Sequence, residues 1–264
     1  MKVFIQTDLE GATNVSLMEM TDWTHPTIEY AYRSLVADIN AAVDGAFAGG
    51  ATVVTVLDSH SRGNWFDPSW LDPRADYDPR VPRTFHGKLD ASYDASMFLG
   101  THAMAGTMNG FLDHTYSSSG IFDYRFNGVK IGELAMWGTV CGHFDIPVIM
   151  VSGDKAACAE AKDFFGDIHT VITKEGVGRN NCFLYDAFKV REQIRESARI
   201  AVSEIGSNPN YKLYKPKMPM VVEMTVTRTD YADPQNVFRP GNDLTRIDAR
   251  TIRKTANTGL EFLF

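Results

Sequence analysis

The 264-residue chain has the composition of an ordinary globular protein, with 44% hydrophobic and 22% charged residues. This composition excludes a disordered, collagen-like, coiled-coil or disulfide-stapled protein, and the chain is long enough to bury a substantial core. The acidic residues outnumber the basic ones and give a formal net charge of −7, which argues against nucleic acid as the main partner. No apolar stretch reaches the ~18 residues of a membrane helix, so no membrane partner is expected.

The first sixty residues predict a strand, a helix and a second strand. Lys2–Thr7 is a short β-rich run, and a helical pattern of apolar residues begins at Pro26. Gly49 suits the end of that helix, and Ala51–Leu57 is an apolar run typical of a buried strand. This order of elements predicts a βαβ unit with a parallel strand pair.

The segment at 61–93 differs from the rest of the chain. It holds four prolines and the aromatic residues Trp65, Phe66, Trp70 and Tyr77. So long an irregular segment is typical of a functional lid or an interface arm. The alternative is a loop packed by its own aromatic side chains.

Strand and helix patterns alternate through the remainder of the chain. We expect strands at 97–99, 122–126, 129–131, 146–151 and 168–172, and helices at 134–143, 155–165 and 184–205. A linker at 212–219 precedes an alternating strand at 220–228, and 244–254 and 259–264 add two further strands. The prediction is an α/β core at 1–210, with a mostly parallel sheet and helices on both faces. A smaller β-rich C-terminal subdomain occupies 211–264.

The three cysteines, Cys141, Cys158 and Cys182, form no CxxC pair. An odd, sparse set favours reduced thiols packed as small hydrophobic residues, and therefore a cytoplasmic protein. The N-terminal apolar run is too short for a signal peptide.

Potential metal ligands follow the ends of three predicted strands. Asp8 and Glu10 end the first strand, His60 follows the second and His102 follows the third. Ligands of a parallel sheet bind beyond the carboxyl ends of its strands, and residues two apart on an extended chain point the same way. These side chains are therefore expected to converge.

Glu133 lies just past the predicted hairpin, and His114 lies in the loop before it. Such carboxylates and imidazoles suit one or two zinc-like ions, and a carboxylate such as that of Asp8 can bridge two ions. The absence of cysteine argues against a structural zinc, and magnesium would favour fewer histidines. The sequence has neither a GxGxxG dinucleotide motif after the first strand nor a GxSxG elbow. The other histidines are interpreted as ordinary surface or core residues: His25, His86, His143 and His169.

Five motifs occur together and in order: residues 8–11 (DLEG), 58–60 (DSH), 98–103 (FLGTHA), 114–115 (HT) and 132–134 (GEL). In these five motifs and their order, the chain resembles the zinc-dependent D-aminopeptidase family. The resemblance extends over roughly residues 1–205 and continues more loosely around Arg239–Gly241.

The resemblance implies two zinc ions per subunit, with Asp8 as the bridging ligand. It implies that the ligands are Asp8, Glu10, His60, His102 and Glu133. His114 matches the catalytic histidine of the family, for which a nucleophilic role has been proposed. The resemblance also implies a ring-shaped decamer that encloses its active sites.

The leading hypothesis is a zinc-dependent hydrolase that cleaves the N-terminal amide bond of short peptides or amino-acid amides. His114 would act as general base and proton donor rather than as nucleophile. Trp137, four residues after Glu133, would lie on the same helix face and narrow the pocket, or would pack in the core behind it. One alternative is a metallohydrolase for a lactam, carbamate or phosphoester, with Arg62, Lys174 or Arg179 near the metals. The other is a non-catalytic metal-binding module.

Overall fold

A computed structural model describes residues 1–61, 63, 65–80, 84–233 and 244–264. The strands in these residues are β1 (Lys2–Thr7), β2 (Val53–Asp58), β3 (Asp76–Asp78), β4 (Ala95–Thr101), β5 (Ile121–Phe126), β6 (Val129–Lys130), β7 (Val148–Asp154), β8 (His169–Gly178), β9 (Asn181–Leu184), β10 (Met220–Val226), β11 (Thr245–Arg246) and β12 (Thr251–Ala256). The helices are α1 (Ile28–Ala48), α2 (Glu133–His143), α3 (Lys155–Phe165) and α4 (Ala187–Ser203), with short 3-10 turns at Met18–Thr21, Pro68–Trp70 and Thr229–Ala232.

The larger sheet has seven strands in the order β3-β2-β1-β4-β7-β8-β9. Every neighbouring pair is parallel except β8 and β9. The predicted βαβ unit is confirmed, because β1 and β2 pair in parallel from Lys2 opposite Val53 to Thr7 opposite Asp58. At that end Thr7 also pairs with Leu99 of β4, so three strand ends lie side by side.

Helices cover both faces of this sheet, as predicted. Side chains alternate along a strand, so Ile5 of β1 packs with α1 and α4, whereas its neighbour Phe4 packs with α2 and α3. Asp154 caps α3 by accepting a hydrogen bond from the Ala157 backbone N–H, as the sequence predicts. The predicted α/β fold class is confirmed, and no described helix is long and apolar enough to cross a membrane.

A second, antiparallel sheet has the order β11-β12-β10-β5-β6. The predicted hairpin is confirmed, since Asn127 and Gly128 join β5 to β6 with φ of 50° and 83°. β5 pairs with β10, so this sheet combines residues from before and after position 210. The division of the chain into 1–210 and 211–264 stays a prediction.

The expected strand at 259–264 is wrong. β12 is already paired on both sides, by β10 and β11, which leaves no adjacent edge for another strand. The apolar side chains of this segment pack as a cap instead: the Phe262 ring lies 5.5 Å from that of Phe126, and the Phe264 ring lies 5.8 Å from that of Tyr124. The sequence patterns do not predict β3 or β9.

The aromatic residues that follow β2 pack on their own chain. Phe66 is buried, Trp65 stacks on Trp23 with ring centroids 6.1 Å apart, and the Arg33 guanidinium lies 4.0 Å above the Trp70 ring. Within the described residues, this arrangement favours the self-packed loop over a free arm.

Candidate metal centre

The structure brings all six predicted site residues to one edge of the larger sheet. Asp8 and Glu10 follow β1, His60 follows β2 and His102 follows β4. Glu133 is the first residue of α2, and His114 lies in the loop between β4 and β5. Five of the six line a cavity of about 1020 Å³, and the sixth, His102, is buried.

Glycines allow the ends of β1 and β4 to touch. A Cβ atom at Gly100, whose φ is +72°, would lie 2.1 Å from the Asp8 carbonyl oxygen, and one at Gly11 would lie 1.9 Å from that of Thr101. Both distances are far shorter than a van der Waals contact, so only glycine fits at either position. This close approach places Asp8 beside His102.

One group of donors consists of Asp8, Glu10 and His60, which offer ligand atoms within 4.8 Å of one another. Nε2 of His60 lies 3.4 Å from a Glu10 carboxylate oxygen. Nδ1 of His60 is 2.8 Å from the hydroxyl of Tyr32, which lies on α1. A partner on the outer nitrogen fixes the orientation of a ligand imidazole.

A second group consists of His102, His114 and Glu133, again with ligand atoms within 4.8 Å. Nδ1 of His102 lies 3.0 Å from the Ala103 carbonyl, and Nδ1 of His114 lies 2.8 Å from that of Leu112. A carbonyl only accepts hydrogen bonds, so both Nδ1 atoms donate, which leaves the Nε2 atoms as the ones that can bind a cation.

His102 connects the two groups. Its Nε2 lies 3.2 Å from Asp8 and 3.3 Å from Glu133, and its ring stacks on that of His114 with centroids 3.9 Å apart. This Nε2 atom and Oε2 of Glu10 are buried without a hydrogen-bond partner among the described residues. Buried polar atoms are rarely left unsatisfied. A divalent cation would satisfy both, and the oxygen and imidazole donors fit zinc.

The carboxylates repel one another in this buried cluster. Burial and the charge of Glu10 raise the pKa of Asp8 to about 7. Burial acts to raise the pKa of Glu10 as well, but the adjacent His60 holds it well below its usual range. Burial likewise opposes ionisation of Glu133, yet the adjacent His102 lowers its pKa to about 2. A bound cation would favour the ionised form of all three.

The pKa of His114 is shifted downward. Burial and the nearby His102 lower the pKa of its imidazole below the ordinary value. Both act against a second positive charge, so the neutral ring is favoured. A neutral imidazole can accept a proton at Nε2.

Trp137 both lines the cavity and packs in the core. It is 2% exposed, and its ring stacks on Phe85 with centroids 4.5 Å apart. Sequence reasoning missed Tyr32 and Arg80, which also belong to the site. Tyr32 lies within the apolar stripe of α1, so no pattern distinguishes its hydroxyl from an ordinary core contact.

Two of the three cations considered for a phosphoester substrate have partners within the protein. Lys174 is buried and donates hydrogen bonds of 2.6 Å to the carbonyls of Glu10 and Val15. Arg179 lines the cavity but forms an ion pair with Asp113. Arg62 lies outside the described residues, as does the Arg239–Gly241 stretch.

A parallel α/β sheet with buried carboxylates and histidines at its carboxyl edge is typical of metal-dependent hydrolases. The comparisons with known proteins narrow this class. A family model described as D-aminopeptidase matches residues 1–263. The chain belongs to this family, and the resemblance seen in the sequence is confirmed.

A D-aminopeptidase of Bacillus subtilis is 30% identical over 182 residues, which are 68% of this chain and 66% of that relative. A solved structure, the Zn-dependent D-aminopeptidase DppA from Bacillus subtilis, described as a self-compartmentalizing protease, matches with a TM-score of 0.89. It is 27% identical and the match covers 99% of this chain and 93% of that one. The family and these relatives are peptide-cleaving enzymes, in agreement with the predicted function class.

Proposed function

We propose that this protein is a zinc-dependent aminopeptidase that removes the N-terminal residue from short peptides or amino-acid amides, D-residues included. The observation that carries the proposal is the convergence of two donor groups, joined through His102, at one cavity of about 1020 Å³. A cavity of this size accommodates a small ligand rather than a folded protein.

The proposed site holds two zinc ions. Asp8, Glu10 and His60 would bind one, His102 and Glu133 would bind the other, and Asp8 would bridge them. The position of Asp8 supports this assignment, because its carboxylate belongs to the first group and lies 3.2 Å from His102 of the second.

Zinc in such a site polarises a carbonyl oxygen and lowers the pKa of bound water toward ~7. The other tasks belong to the chain itself. His114 lines the cavity, and its Nδ1 is bound to the Leu112 carbonyl, so Nε2 is the atom that takes up a proton and returns it to the leaving amine.

The test combines a metal count on the purified protein with a screen of substrates. The screen contains D- and L-amino-acid amides, the corresponding short peptides, a lactam, a carbamate and a phosphoester. We expect two zinc ions per chain and turnover of the amides and peptides. Turnover of the phosphoester alone would contradict the proposal, and a zinc-loaded protein inactive on every compound would favour a non-catalytic binding module.

We further propose a cytoplasmic homo-oligomer, a decamer as the family resemblance implies. Free cysteines support the location, and the self-compartmentalizing relative supports the assembly. Trp23, Met108 and Phe188 are large apolar side chains, each at least 64% exposed in the single chain. Burial of Trp65, Trp70 or Tyr77 between subunits stays a prediction. Light scattering at micromolar concentration that finds a monomer would contradict the assembly.

A further inference from the structure

We propose that Arg80 binds the C-terminal carboxylate of the peptide substrate, so that short peptides with a free carboxylate are better substrates than the same peptides as amides. This inference rests on the proposed aminopeptidase function and adds a residue that selects the substrate class. It depends on where Arg80 lies, on its lack of a partner and on its backbone conformation.

Arg80 lies next to the metal centre in the sheet. It comes two residues after the end of β3, just as His60 comes two residues after the end of β2, and the two strands are parallel neighbours. Adjacent strands are ~4.8 Å apart. Arg80 lines the same cavity as Glu10 and His60. A methyl group at Gly63 would lie 3.8 Å from Nη1 of Arg80, which places the guanidinium against the loop after His60.

The guanidinium has no partner of its own among the described residues. Its Nε is buried without a hydrogen bond, and no carboxylate of those residues lies within ion-pair distance. Of the nearby acids, Asp78 accepts backbone hydrogen bonds through both oxygens, from Arg80 itself and from Lys88. Asp58 accepts from Trp65 through one oxygen, and its other oxygen is buried without a partner and beyond ion-pair distance of Arg80. Arg179, in the same cavity, is by contrast held by Asp113. Arg80 is half-buried, and a ligand that supplied an acceptor to its buried Nε would satisfy a donor that otherwise has none.

The backbone at Arg80 is fixed in an uncommon conformation. Its φ is +56°, in the left-handed region that side chains with a Cβ rarely adopt. Its backbone N–H donates to Asp78 Oδ1 at 2.8 Å, which stabilises that turn. Such conformations persist where the surrounding structure requires them and occur often at ligand sites. Here the turn directs a long cationic side chain to the cavity.

A planar guanidinium binds a carboxylate through two parallel hydrogen bonds. A short peptide carries an ammonium group at one end and a carboxylate at the other. The N-terminal peptide bond would lie at the metal centre, and Arg80 lines the same cavity next to that centre. An amide at the C-terminus removes the charge that Arg80 would bind.

The experiment uses the zinc-loaded protein and alanyl-glycine with D- or L-alanine, each as free acid and as C-terminal amide. We expect the wild type to favour the free acid by roughly 10- to 100-fold in kcat/KM, mainly through KM, the size expected for hydrogen bonds to a charged group. Arg80→Gln should abolish this preference by raising KM for the free acid to that for the amide, and Arg80→Lys should retain part of it. Arg179→Gln is the matched control, since its charge is already paired and the acid-to-amide ratio should stay unchanged.

A second measurement does not depend on turnover. Reduced-amide analogues of the same dipeptides, with CH₂ in place of the scissile carbonyl, are titrated by calorimetry as free acid and as amide. Equal affinity of the wild type for both forms would overturn the inference, whatever the variants do. A uniform loss on all substrates with a lower melting temperature in Arg80→Gln would assign Arg80 to neutralising Asp58 instead. Acid-selective binding without hydrolysis of any peptide would contradict the aminopeptidase proposal and leave the role of Arg80 standing.

Discussion

The two donor groups of the metal centre are built in different ways. Asp8, Glu10 and His60 come from one βαβ unit, where the parallel pairing of β1 and β2 alone brings the strand ends together. His102, His114 and Glu133 come from a strand end, a loop and a helix start, so three separate elements must close around them. One donor group therefore follows from the local topology of the βαβ unit, whereas the other depends on how the loop between β4 and β5 is folded.

The loop between β4 and β5, which carries His114, contains three residues with uncommon backbone conformations. Asn109, Leu112 and Tyr116 have φ of 59°, 52° and 62°. Leu112 provides the carbonyl that orients His114, and the Tyr116 N–H donates to Glu133 at 2.8 Å. The second group is also more open, with Glu133 22% exposed against 7% for Glu10. We therefore expect the groups to respond differently to substitution.

The largest expected effect is that of His102→Ala, because this residue joins the groups. Removing Nε2 leaves the carboxylates of Asp8 and Glu133 facing each other without a neutral donor. We predict the loss of one of the two ions and of nearly all activity, measured by elemental analysis and peptide turnover. His143→Ala, an exposed position at the end of α2, is the control. Full metal occupancy in His102→Ala would contradict the ligand assignment.

His114→Ala distinguishes catalysis from metal binding within the second group. Its Nε2 lies 3.6 Å from Glu133, so the structure permits either role. As a general base it should keep both ions and lose roughly 10²–10⁴-fold in kcat. Loss of an ion would make it a ligand, and a loss confined to KM would make it a binding residue. His25→Ala controls for surface histidine replacement.

Tyr32→Phe affects the first group alone. The hydroxyl that holds Nδ1 of His60 at 2.8 Å is removed, and the ring remains in the core. Outer partners of ligand histidines contribute about 10- to 100-fold to metal affinity. Chelator competition should therefore show one weakened site and one unchanged site. Tyr30→Phe, on the exposed side of α1, should leave both sites as in the wild type.

Trp137→Ala has the smallest expected effect on chemistry and concerns the cavity wall next to Glu133. Removing the indole should change kcat/KM for bulky relative to small N-terminal residues by ~10-fold. Because Trp137 also stacks on Phe85, the variant should lose ~3–5 kcal/mol of stability. Phe98→Leu, a buried neighbour of Trp137 outside the cavity wall, should lower the melting temperature without changing that ratio. An equal slowing of all substrates by Trp137→Ala would place the selective wall elsewhere.

The elements that the sequence predicts best are those with strong local signals. In the βαβ unit, the apolar pattern of a strand is followed by the apolar pattern of a helix and by a glycine that ends the helix. The hairpin depends on Asn127-Gly128, a residue pair that readily adopts positive φ. The six donor residues lie at strand ends or beside predicted elements, which is why the structure brings them together as expected. Their individual roles stay predictions.

The features that were missed depend on distant contacts. β3 is three residues long and pairs only with β2 among the described residues. β9 is a four-residue edge strand that pairs with β8, between the predicted strand at 168–172 and the predicted helix at 184–205. The segment at 259–264 has the alternation of a strand but packs as a cap against rings of β5. Arg80 follows β3 and carries no motif, so its position beside His60 emerges only from the assembled sheet.

The pairing of β5 with β10 has a consequence for the order in which the centre forms during synthesis. All six donors lie within the first 133 residues, yet Leu263 and Phe264 line the same cavity, and the Tyr124 hydroxyl donates to the Phe262 carbonyl at 2.5 Å. Because chains are made from the N-terminus, a ribosome exposes the complete donor set well before it delivers the residues that wall the cavity. The enclosure that restricts the substrate arrives last.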